Sequence, residues 1–268
     1  MSAVVASFWR RVLVAIALAC LAWLVHVFGR VLPDALAAAV WLVMAASIGW
    51  GIYRRGRIRR DAFLSAYVRA DGRLGRLLRG RLSIPVRAAL GGAVLALVLL
   101  VSLVRIDDRA SFVVLAAGAP ALVLAFAAAS RALSAQIARD YLPVAAWRTA
   151  AAAVGGLMLA ALVALSFHAS YPDLADVDLE RAVWHFVDSE RARGAIVQIL
   201  LQLAAAGDGL RLWLAQQLMP APGDSMAEAL GWLAVLAEEA VFVWSYLAYL
   251  SPAVLGGPTD GSDRGRGA

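Results

Sequence analysis

The chain has 268 residues, of which 62% are hydrophobic and 16% charged, and its mean hydropathy is +0.75. This composition lies far outside the range of soluble domains, so we expect an all-α integral membrane protein. The net charge of +6 comes from 25 basic residues, all of them arginines, and many of these lie in one segment between apolar runs. That distribution is typical of membrane topology and not of nucleic-acid binding, so no nucleic-acid partner is expected.

Residues 1–53 are predicted to form a first transmembrane hairpin. Arg10-Arg11 precedes an apolar run at residues 12–28, which is longer than the apolar core of a secretory signal peptide. We therefore expect this run to be retained as the first span, with the N-terminus in the cytoplasm. Residues 30–34 form a tight external turn around Pro33, and a second span at about residues 35–53 returns to the cytoplasm.

Residues 54–87, the arginine segment, carry eleven arginines against two aspartates and are expected to remain cytoplasmic. Aliphatic and aromatic residues recur at helical spacing around residues 63–68 and 74–82, which predicts two amphipathic helices lying on the anionic inner leaflet. The alternative is that the arginines only enforce topology. The arginines expected to contact lipid or a protein partner are Arg54, Arg55, Arg57, Arg59, Arg60, Arg73, Arg76, Arg79 and Arg81.

Residues 88–167 contain spans three to five, at about residues 88–104, 111–130 and 149–167. Two of these spans have small residues at every fourth position, a pattern that lets helix backbones approach closely. In span three these residues are Ala88, Gly92 and Ala96, and in span five they are Ala152, Gly156, Ala160 and Ala164.

Residues 168–225 form a polar, net acidic segment that is expected to lie outside and to be helical. One helix is predicted at about residues 179–206 and a second at 210–219, separated by a break at Gly207-Asp208-Gly209. The apolar stretch at residues 195–206 is too short to span, so an interfacial, re-entrant or soluble placement stays open over residues 195–219.

A sixth span is predicted at residues 226–250, followed by a disordered tail at 251–268. Six spans place both termini in the cytoplasm, with the basic loops inside and the acidic segment outside. The exclusive use of arginine and the abundance of alanine suggest a GC-rich bacterial genome. The expected location is therefore a bacterial inner membrane, with the protein crossing it several times.

Glu238 and Glu239 are the strongest candidates for a functional site, because the predicted sixth span puts them near the bilayer midplane. A charge there costs about 2.5–3.5 kcal/mol even on the most permissive insertion scale, so it requires a partner, a proton or water. Adjacent carboxylates also raise each other's pKa, which would suit a proton or ion relay. The competing interpretation is a polar helix–helix contact.

Three functions are considered from these features. The first is a non-enzymatic subunit or scaffold of a bacterial envelope assembly, such as a secretion, transfer or surface-biogenesis system, with protein partners in a membrane complex. The second is a small proton- or ion-coupled transporter that uses Glu238 and Glu239. The third, a membrane-embedded hydrolase, has the least support because no nucleophile motif is found. No cofactor or metal site is expected, since His185 and the nearby carboxylates are too loosely spaced to indicate ligands.

Overall fold

The computed structural model describes residues 3–67, 83–106, 108–166, 172–174, 177–218 and 225–256. Within these ranges the chain is helical apart from short turns and contains no β-strand. The α-helices are α1 (Ala3–Phe28), α2 (Asp34–Tyr67), α3 (Ser83–Arg105), α4 (Arg109–Leu133), α5 (Leu142–Ser166), α6 (Leu179–Ser189), α7 (Ala195–Leu218) and α8 (Ser225–Leu255), and a 3-10 turn, Gly29–Val31, follows α1.

Six of the described helices are long and apolar enough to cross a membrane. They are α1 to α5, as predicted, together with α7 over Ala195–Leu214. The sequence predicted a shorter piece at α7 and placed the sixth span within α8. The 31 residues of α8 are also long enough to span, and this helix carries the two glutamates, Glu238 and Glu239.

The long helices form a ring around the C-terminal half of α8. Going round the ring, the neighbours are α1, α3, α2, α5 and α4, and each of them contacts α8. From Ser245 to Leu255 every side chain of α8 is buried except that of Pro252, which is half-buried. The core of the protein is therefore the last three turns of α8 and the inner faces of the ring.

Polar side chains at the core fix how α8 is rotated inside the ring. The Tyr246 hydroxyl donates to the carbonyl oxygen of Leu115 at 2.9 Å, and the Tyr249 hydroxyl donates to that of Leu18 at 3.0 Å. From the ring, the Ser47 hydroxyl donates to the carbonyl oxygen of Tyr249 at 2.9 Å. Hydrogen bonds between helices are an important source of specificity in an apolar surrounding, where apolar contact alone orients a helix weakly.

The predicted close approach along span three is confirmed. Ala88, Gly92 and Ala96 are all buried, and α3 packs against α2 over this face. A Cβ atom on Gly92 would lie 2.6 Å from the carbonyl oxygen of Ala45, so only glycine permits this separation of the backbones.

The close helix contact predicted along the small residues of span five is not formed among the described residues. Ala152, Gly156 and Ala160 are exposed, and a Cβ atom on Gly156 would meet nothing within 4 Å. The packed face of α5 lies on another side of the helix and carries Trp147 and Met158. In a chain so rich in alanine, small residues at every fourth position occur on outer faces as well.

The two ends of the bundle differ. At the basic end α1 begins and α8 finishes, and Arg10 Nη2 donates to the carbonyl oxygen of Gly256 at 3.1 Å. At the opposite end, here called the hairpin end, α1 and α3 finish, and α7 of the antiparallel pair α6–α7 contacts α2, α3 and α8.

The break in this hairpin is not where the sequence predicted it. The turn lies at residues 190–194, and α7 continues without interruption through Gly207-Asp208-Gly209. A Cβ atom on Gly209 would lie 3.0 Å from the carbonyl oxygen of Ala182 and 3.0 Å from the Cα of Val183. This glycine therefore permits the close contact between α6 and α7 and does not mark a turn.

The first helix predicted in the arginine segment is not a separate element. The second span continues past Tyr53 to Tyr67, so that α2 is a single helix of 34 residues. The second predicted helix, at about residues 74–82, lies outside the described residues, as do Arg73, Arg76, Arg79 and Arg81. The disordered tail predicted at 251–268 begins too early, because α8 continues to Leu255; the residues after Gly256 lie outside the described part of the chain.

Candidate functional site

Glu238 lies at the hairpin end of the bundle and not at its middle. The hydrogen bond from Tyr246 to Leu115 fixes the height of α8, and Leu115 is close to the start of α4. Glu238 precedes Tyr246 by about two helical turns, or ~12 Å along the axis. Glu238 therefore lies close to the level at which α4 begins, before the buried C-terminal half of α8.

An arginine at the end of α3 links three parts of the hairpin end. Arg105 Nε donates to Glu190 Oε1 at 3.1 Å, and Arg105 Nη2 pairs with Asp208 on α7. The same Glu190 carboxylate forms a second ion pair with Arg30, with 3.3 Å between Arg30 Nη1 and Glu190 Oε2. The turn between α6 and α7 is thus held by two arginines from the bundle.

The chain of charges continues to α8 through Arg211. Arg211 Nη2 lies 3.6 Å from Asp208 Oδ1, and Arg211 Nη1 pairs with Glu238 Oε2. Arg211 also attracts Glu239, which is half-buried. We call the resulting set the charged network, and its members in order are Arg30, Glu190, Arg105, Asp208, Arg211 and Glu238.

Burial of the charged network decreases from the turn towards α8. The side chain of Glu190 is 8% exposed, those of Arg105 and Asp208 are 22% exposed, and that of Glu238 is 50% exposed. A buried carboxylate is stable only when it is paired, and the most buried one here has two arginine partners. Positive and negative members alternate and are equal in number. The charged network can therefore hold the helices of the hairpin end together.

A second contact ties α7 to the bundle at its first turn. The carboxylate of Asp34, the first residue of α2, accepts from the backbone amides of Ala195 at 3.1 Å and Ile196 at 3.0 Å. These amides have no partner within their own helix, and a negative charge at this position also complements the helix dipole. In the adjoining turn the amide of Arg193 donates to the carbonyl oxygen of Arg30 at 2.8 Å.

At the basic end, arginines lie over aromatic rings. The guanidinium carbon of Arg55 is 4.9 Å from the ring centre of Trp147 on α5, and that of Arg11 is 5.3 Å from Phe126 on α4. Within α2, Arg54 lies 5.1 Å from the Trp50 ring centre and Arg57 lies 5.9 Å from that of Tyr53. Such pairs stabilise a cation over an apolar surface.

The predicted lipid- or partner-contacting arginines therefore differ in their surroundings. Arg57 and Arg59 are exposed, Arg54 and Arg60 are half-buried, and Arg55 is buried inside the bundle at 8% exposure. Burial of Arg55 could not be read from the sequence, because the ring that it lies over, Trp147, comes from α5.

A shallow apolar groove of about 430 Å³ runs along the outer side of α2 and α3, lined by Trp41, Trp50, Tyr53 and Pro85 among others. Its polar lining is slight, and the Trp41 indole donates to the Ala93 carbonyl oxygen at 3.1 Å. Over the described part of the chain, no three His, Cys, Asp or Glu side chains converge in a way that would hold a metal ion.

Comparisons with protein-family models, with curated proteins and with solved structures give no match for this chain. The site must therefore be interpreted from its own geometry. Of the network, sequence reasoning singled out only Glu238. The spacing of Asp208 and Arg211, one helical turn apart on α7, was the available signal for the others.

Proposed function

We propose that this protein is a non-enzymatic, multi-pass scaffold subunit of an assembly in a bacterial inner membrane, such as a secretion, transfer or surface-biogenesis system. The observation that carries the proposal is the clamped hairpin at one end of the bundle. The charged network and Asp34 hold α6–α7 in a defined position on the ring. Fixing a surface in place is what a subunit requires in order to bind a partner repeatedly in one geometry.

The clamped hairpin presents an apolar stripe that the protein itself does not cover. Five large apolar side chains of α7 are exposed at spacings of three, four and seven residues, which places them on one face of the helix. They are Ile196, Ile199, Leu203, Leu210 and Leu214. A contiguous apolar face of this kind marks contact with a membrane or with a partner helix.

The opposite end presents a cationic surface of different chemistry. The last turns of α2 project beyond Tyr53 and expose Arg57 and Arg59. In this proposal the basic end faces the cytoplasm, where it contacts the anionic inner leaflet and a cytoplasmic partner. The hairpin end then faces outward and contacts the envelope components of the assembly.

The transporter alternative has less support. Glu238 is paired with Arg211 at the end of the bundle, and a carboxylate held by a cation is a poor proton carrier near neutral pH. Inside the ring, the Tyr246 and Tyr249 hydroxyls are engaged in hydrogen bonds between helices.

Purification of the tagged full-length chain from its native membrane in a mild detergent tests the scaffold proposal. We expect a defined set of membrane partners, and we expect them to be lost in the double variant I199N/L203N on the exposed face of α7. Leu124→Asn is the control, because Leu124 is similarly exposed but lies on the outer face of the ring. A chain that purifies alone, or a partner set unchanged in the double variant, would contradict the proposal.

A further inference from the structure

Arg55 is a cation buried inside the basic end. Its Nη1 atom is inaccessible and has no hydrogen-bond partner among the described residues, and no ion pair between those residues includes it. Stacking on Trp147 offsets part of the cost of burying the charge. A buried guanidinium is nevertheless strongly favoured by a counter-charge, which the described part of the chain does not provide.

Arg59 strengthens the positive potential at the same place. It lies one turn beyond Arg55 on the same face of α2, it is exposed, and its charge repels that of Arg55. An anion between the two guanidinium groups would relieve this repulsion and pair with both. The planar fork of arginine matches the oxygens of a phosphate group particularly well.

The helices next to Arg55 indicate the route by which such an anion reaches it. Of the neighbouring helices in the ring, α2 and α5 make the slightest contact, and Arg55 and Trp147 face each other across this seam. In a multi-pass protein the outer edge of a seam between two ring helices faces the lipid. Arg59, one turn beyond Arg55, is exposed, so a phosphate attached to acyl chains can reach its guanidinium group while the chains lie along α2 and α5.

We propose that Arg55, which lies over Trp147, and Arg59 bind the phosphodiester of an anionic phospholipid at the basic end. This deepens the lipid contact in the proposed function and rests on the membrane placement given there. Arg131 provides a matched control, because it is an exposed arginine at the same end of the bundle but lies on α4.

Native mass spectrometry of the full-length chain in mild detergent, with phosphatidylglycerol or phosphatidylcholine added, measures this binding. We expect a retained phosphatidylglycerol adduct on the wild type and little phosphatidylcholine. Losing one charge-assisted contact in R55Q or R59Q should lower the apparent affinity for phosphatidylglycerol about tenfold. The variant R131Q should bind like the wild type.

The exposed position of Arg59 keeps the test informative if R55Q fails to fold. Wild-type binding by a folded R59Q, or an equal loss in R131Q, would overturn the proposed site in favour of a diffuse charge effect. Displacement of the lipid by inorganic phosphate at equal concentration would overturn the lipid assignment, since the site would then prefer a free anion. Partner capture through α7 uses other variants and another measurement, so either proposal can fail without the other.

Discussion

At the scale of single residues, Arg105 connects segments that are far apart in the chain. It is the last residue of α3, and its guanidinium bridges the turn before α7 to the middle of α7. In the sequence it is one of several arginines close to the end of an apolar run, where a role in topology is the usual interpretation. The partners Glu190 and Asp208 are far along the chain, so only folding brings them to it.

Replacing Arg105 by glutamine should destabilise the protein by about 3 kcal/mol, because Glu190 and Asp208 would remain buried with one cation fewer. Unfolding of the purified protein in mixed micelles, followed by circular dichroism, measures this difference.

Arg181→Gln is the matched control for this prediction. Arg181 pairs with Asp178 at 3.8 Å, but both side chains are about four-fifths exposed. A surface pair of this kind contributes about 0–1 kcal/mol, so R181Q should unfold close to the wild type. Equal stability of R105Q and R181Q would show that the charged network contributes little to folding.

At the scale of elements, α7 depends on a residue of another helix for its start. Asp34 begins α2, yet its carboxylate accepts the first two amides of α7. The sequence predicted one helix from about residue 179 to 206, which crosses the turn found at 190–194. Gly194 lies in this turn, but a single glycine inside a helical pattern does not by itself end a helix. The turn exists there because Arg30, Arg105 and Asp34 bind its two sides.

Replacing Asp34 by alanine should loosen the first turn of α7 without unfolding the ring. Loss of an N-terminal cap costs about 1 kcal/mol, so the amides of the first turn should exchange with solvent hydrogen about fivefold faster. Hydrogen exchange followed by mass spectrometry resolves this segment. The variant D34N retains an oxygen acceptor and should remain close to the wild type; exchange in D34A identical to D34N would disprove the capping role.

At the scale of the whole molecule, the ring around α8 places polar side chains where they join helices together. Tyr246, Tyr249 and Ser47 link α8 to α4, α1 and α2 respectively. The glutamates lie beyond this buried part, next to Arg211. The molecule is thus a bundle with a bound hairpin at one end and an arginine-bearing helix at the other.

The double variant E238Q/E239Q distinguishes a scaffold from a transporter. A scaffold should show no change in proton flux after reconstitution into vesicles, and only a small loss of stability, because Glu238 is half exposed. Flux is measured with a pH-sensitive dye trapped in the vesicles, and wild-type protein and empty vesicles provide the references. Flux present in the wild type and abolished in a folded double variant would favour the transporter.

The sequence alone determined the helical membrane class, the first five spans and the close contact at Gly92. These follow from local quantities, namely the length of each apolar run and the size of each side chain. Tertiary structure decided the rest: the central position of α8, the outward face of Gly156, the clamp on α7 and the burial of Arg55. Each of these depends on which distant helix lies opposite, and in a chain whose spans are almost uniformly apolar, many pairings satisfy the same pattern. Only the few polar side chains that find partners across the bundle make one pairing more stable than the others.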